Sequence, residues 1–151
     1  MPAYKYYARE HRLYRDLMGH HFRSHLEIRR AIEYLCRHFG LPYIEVYDAK
    51  PRPMDHGGVR FEAAFLPENR VTGVPNSFSI PTQGAGIWVV AHEFAHYLDY
   101  ERSFRDGRRI QYTRGLFKRY WRWHGREHTR AMREVVELLV RRLGVRVKLK
   151  P

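Results

Sequence analysis

Residues 85–100 read Ala-Gly-Ile-Trp-Val-Val-Ala-His-Glu-Phe-Ala-His-Tyr-Leu-Asp-Tyr. Ile87, Ala91, Phe94 and Leu98 recur at spacings of 4, 3 and 4, which stacks them on one face of an α-helix. The same stretch carries His92, Glu93 and His96 in the order His-Glu-x-x-His. Two imidazoles and a carboxylate beside a core cost free energy unless something pairs them. Histidines four apart on a helix are stacked neighbours, so His92 and His96 can converge on one ion at about 2.0–2.1 Å from each nitrogen. Glu93, turned by about 100° from His92, is placed to take a proton from a water on that ion rather than to bind it.

A catalytic zinc site has three protein ligands and one open position. The candidates for the third are Asp99, His124, Glu127 and His128. Asp99 lies one turn beyond His96, where an unbroken helix carries it past the ion, so it suits an ion-pair role. His124 precedes Gly125, whose backbone freedom permits a turn aiming the ring back at the first helix. It is taken as the third ligand, with His128 or Asp99 next in line.

Outward from the motif, Ser24-His25-Leu26-Glu27 has the form of a capping box, preceded by helical character from Arg9 to Met18. Ile28, Ile32, Leu35 and Phe39 then form a helical stripe that Gly40 and Pro42 terminate. Tyr43–Tyr47 and Val59–Leu66 read as two short strands of a hairpin. Pro75 and Pro81 flank a third strand at Ser77–Ile80, expected at a sheet edge where an extended substrate could pair. Met132, Val135, Val136, Leu139 and Leu143 mark a last amphipathic helix ended by Gly144, followed by an alternating strand or tail. The expected fold is α+β, one domain over 1–151 with helices packed on a small, mostly antiparallel sheet. Helices occupy 1–42, strands 43–81, the site helices 85–144 and a strand or tail 145–151.

The chain has 151 residues, 44% hydrophobic and 15% aromatic, enough for one core. No stretch approaches the roughly 20 apolar residues of a membrane span, and the first residues lack the apolar segment of a secretory signal. A soluble protein of the cytoplasm is expected. The single Cys36 excludes an internal disulfide and a Cys-based zinc ribbon. Between residues 102 and 133 stand 11 Lys and Arg against Asp106 and Glu127, giving +9 of the formal +12. Phe104, Tyr112, Phe117, Tyr120, Trp121 and Trp123 interleave with them, a composition suited to stacking on single-stranded nucleic acid and equally to an acidic protein. Histidines 21 and 25 are also four apart, but Ser24 as a helix cap leaves His21 outside the helix.

The run Ile87–Ala91 before His92-Glu93-x-x-His96, then His124-Gly125-x-Glu127 ahead of Met132 and an apolar helix, resembles the SprT-like zinc metallopeptidases, which include the Spartan and Wss1 proteases. The resemblance covers roughly residues 76–140. It implies a zincin-like fold, a zinc cofactor, His92, His96 and His124 as ligands, Glu93 as general base and a protein substrate, with nucleic acid as a partner of the basic region. His128 stands where that family has an aromatic residue. Tyr97, Tyr100, Tyr112, Arg122 and Arg126 are the candidates to stabilise an oxyanion. The competing reading is a basic nucleic-acid-binding module with a structural metal or none.

Overall fold

The computed structural model describes residues 3–48, 52–53, 59–60, 63–67, 73, 75–81, 85–103 and 125–148. The elements run α1 (Ala3–Leu13), a 3₁₀ turn (Arg15–Leu17), α2 (His25–Phe39), β1 (Glu45–Asp48), β2 (Arg52–Pro53), β3 (Val59–Arg60), β4 (Ala64–Leu66), β5 (Ser77–Ile80), α3 (Ile87–Ser103) and α4 (Arg126–Leu143). The architecture is α+β, and the described residues form four α-helices and a small three-stranded mixed sheet. None of the described helices is long and apolar enough to cross a membrane.

Helix α2 follows its local chemistry. Ser24 is extended, and its hydroxyl accepts the Glu27 N–H at 3.2 Å. The Glu27 carboxylate reaches back to the Arg23 N–H, one residue before the cap. Ile28, Ile32 and Leu35 are fully buried, each contributing about 1.5–3 kcal/mol relative to exposure. Gly40 at φ +66° ends the helix in the left-handed region, where the Leu41 N–H returns to the Cys36 carbonyl at 2.8 Å. Gly144 ends α4 in the same way, with the Val145 N–H on the Val140 carbonyl.

The first helix differs from its expected bounds. It begins at Ala3 and closes at Leu13, because Tyr14 leaves helical geometry at φ −113°, ψ 28° and a 3₁₀ turn carries the chain to Met18. Backbone bonds from Phe22 to Ala85 and from Ile87 to His20 then tie the following loop to the start of α3.

The sheet corrects three sequence expectations. Its strand order is β1-β5-β4, with β1 parallel and β4 antiparallel to β5, so it is mixed rather than mostly antiparallel. The 43–47 and 59–66 segments do not form a hairpin with each other, since β1 and β4 lie on opposite sides of β5. Strand β5 is central, not an edge. Pro75 and Pro81 fall outside the paired residues Ser77–Ile80, so their missing N–H groups remove nothing from the ladder, and Phe78 and Ile80 are fully buried. A two-stranded β2–β3 ribbon stands apart from this sheet. The described part of the tail, 145–148, adopts no regular element.

Helix α3 is the axis of the fold. Every residue from Val90 to Tyr100 is buried, as expected for a helix packed on all sides. Phe94 stacks on Phe78 of β5 and on Phe39 of α2. Its most extensive partner is α4, which presents Met132, Val135, Val136 and Leu139 to the core. Arg102 near the end of α3 pairs with Glu134 of α4 at their exposed rim.

Candidate metal centre

His92 and His96 lie mid-helix in α3, one turn apart, and both are buried. Their Nε2 atoms are 3.2 Å apart. Two nitrogens bound tetrahedrally at about 2.0–2.1 Å would stand about 3.3 Å from one another, so this pair already has the spacing of a shared ion. His128, in the first turn of α4 and fully buried, completes the group. One nitrogen from each of the three rings lies within 4.8 Å of the others. The His128 ring stacks on His96 at 4.1 Å between centroids and meets His92 edge-on at 4.8 Å.

Of the other third-ligand candidates, Glu127 is exposed and paired with Arg130. Asp99 is buried but lies outside the three-histidine group. His124 lies outside the described residues, as do Tyr112, Arg122 and most of the basic aromatic stretch. Among the oxyanion candidates, Tyr97 donates its hydroxyl to the Pro42 carbonyl at 2.7 Å, Tyr100 is buried beside Phe65, and Arg126 is exposed where α4 begins.

Glu93 reaches the sheet. Its Oε2 accepts the Phe65 N–H of β4 at 2.7 Å. Burial pushes its carboxyl up to about 7, against the lowering effects of His92 and of the Phe65 hydrogen bond, while Glu10 adds to the rise. A carboxylate poised there suits proton transfer near neutral pH.

Sequence reasoning missed Glu10. This α1 residue is 3% exposed, and its Oε1 lies 2.7 Å from His92 Nδ1. Burial alone would lower the His92 pKa; the hydrogen bond and charge of Glu10, with the charge of Glu93, more than offset it and leave the pKa raised. A signal was present. Glu10 stands three, four and seven residues before Leu13, Tyr14 and Leu17, of which the last two are buried just beyond the end of its helix, and His128 precedes Met132, Val135 and Leu139 of α4 by four, seven and eleven. An ionisable group at a core position needs a partner.

Three imidazoles are a donor set suited to a first-row transition metal such as zinc, and among the described residues the group has these three members. The burial of the three rings, the nitrogen spacing and the carboxylate behind His92 all fit such an ion. Comparisons with family models, curated proteins and solved structures find no match to this chain.

Proposed function

We propose that this protein is a zinc-dependent metalloendopeptidase of the SprT-like, zincin-like type, with His92, His96 and His128 as ligands and Glu93 as general base. The observation that carries the reading is the buried three-histidine group with an acid next to it that is not part of the ligand set. A structural zinc site closes all four positions with protein and has no use for such an acid. Zinc, when bound, supplies a Lewis acid that polarises a scissile carbonyl and makes water acidic.

The chain's own residues do the rest. Glu93 takes a proton at its carboxylate and returns it to the leaving amine, while the Phe65 N–H holds one of its oxygens in place. Strand β4 is an outer strand of the three-stranded sheet and is joined to Glu93 through that bond, so it replaces β5 as the edge along which an extended peptide would lie. The substrate is a protein chain taken in extended form. Zinc analysis followed by cleavage of casein or histone, wild type against Glu93→Gln, tests the reading. Zinc retained with cleavage lost supports it; cleavage unchanged by the substitution removes the proposed base.

A further inference from the structure

We infer that Glu10 is the positioning residue of the metal centre: its carboxylate fixes the tautomer and ring orientation of His92, so that the N-terminal helix α1 is a working part of the site. This rests on the metal-centre reading above. A carboxylate only accepts, so the 2.7 Å contact makes His92 Nδ1 the donor and leaves the Nε2 lone pair facing His96 and His128. Carboxylates behind metal-bound imidazoles have this geometry, and removing one weakens metal affinity about 10–100-fold.

A purely architectural role accounts poorly for the same residue. Leu17 of the 3₁₀ turn and Tyr14 already anchor the N-terminal segment in the core. Glu10 adds a buried carboxylate whose Oε2 has no hydrogen-bond partner among the described residues, an expensive way to dock a helix. Its distance in sequence from His92 means that the ion and the docking of α1 stabilise one another. Trp88, one turn before His92, packs against both the His92 ring and His11 of α1, and so closes the same junction.

The test measures zinc affinity of the full-length chain by competition with a chromogenic chelator, for wild type, Glu10→Gln, Glu10→Ala, Glu10→Leu and His92→Ala. Folding of each metal-free protein is followed by circular dichroism, and the visible spectrum of each cobalt-substituted form is recorded. Glu10→Ala should bind zinc 10–100-fold more weakly per folded molecule, with altered cobalt bands. Glu10→Gln, whose amide oxygen still accepts the Nδ1 proton, should lose only several-fold. Zinc affinity and cobalt bands unchanged in Glu10→Ala would overturn the inference. If Glu10→Ala does not fold, Glu10→Leu decides, because its side chain fills similar space with no acceptor for the Nδ1 proton, and unchanged affinity and cobalt bands there overturn the inference equally. A wild type that binds no zinc, or a His92→Ala protein that binds it normally, overturns the metal centre itself, a different failure with a different signature.

Discussion

Two pairs of histidines in this chain have the same spacing and opposite fates. His21 and His25 are four apart, but Ser24 caps α2 between them, so they never share a helical face. His21 is exposed and bonds the Gly19 carbonyl, while His25 opens the helix and donates from Nε2 to the Val46 carbonyl at 3.1 Å. His92 and His96 lie inside a continuous, fully buried turn of α3, where a third ring from α4 and a carboxylate from α1 meet them. Four-residue spacing becomes a donor pair only when one helix spans both residues and the core brings further polar groups to the same point.

Substitutions sharpen that contrast. His128→Ala should reduce zinc binding by more than 100-fold, measured as bound metal after dialysis, whereas His21→Ala should leave it unchanged. Glu93→Gln should keep zinc at full stoichiometry and lower the rate of peptide cleavage by about 10²–10⁴, the usual contribution of a positioned general base. Removing zinc from protein held at 100 times the dissociation constant should cost about 2.7 kcal/mol, read as a fall in Tm on adding chelator, and the His128→Ala protein should show no such fall. His25→Ala should cost about 1 kcal/mol through its lost bond to Val46, seen in denaturant unfolding, with zinc affinity intact.

What the sequence revealed followed its range of interaction. The start and end of α2 depend on residues within one turn, and Ser24, Glu27 and Gly40 act where local chemistry puts them. The His92–His96 pair was legible for the same reason. Strand pairing was not. The parallel register of Glu45 with Ser77 joins segments 32 residues apart, and nothing in either segment names the other. The flanking prolines of β5 misled because a missing N–H matters only within the ladder. Glu10 was hidden by distance, although its helical spacing from Tyr14 and Leu17 marked it, and His128 carried the same mark ahead of Met132 and Val135, whereas His124 lies outside the described residues. Polar residues at core positions of three separate helices form one centre here, and the spacings that follow Glu10 and His128 hold the clue.

The central claim is that three imidazoles from α3 and α4 hold one zinc ion. Zinc-edge X-ray absorption of the loaded wild type and of His128→Ala tests it most directly. The account predicts three imidazole nitrogens at about 2.0–2.1 Å in the wild type and one fewer, with weakened binding, in the variant. An unchanged ligand shell in His128→Ala, or a wild-type shell without three imidazoles, would contradict it.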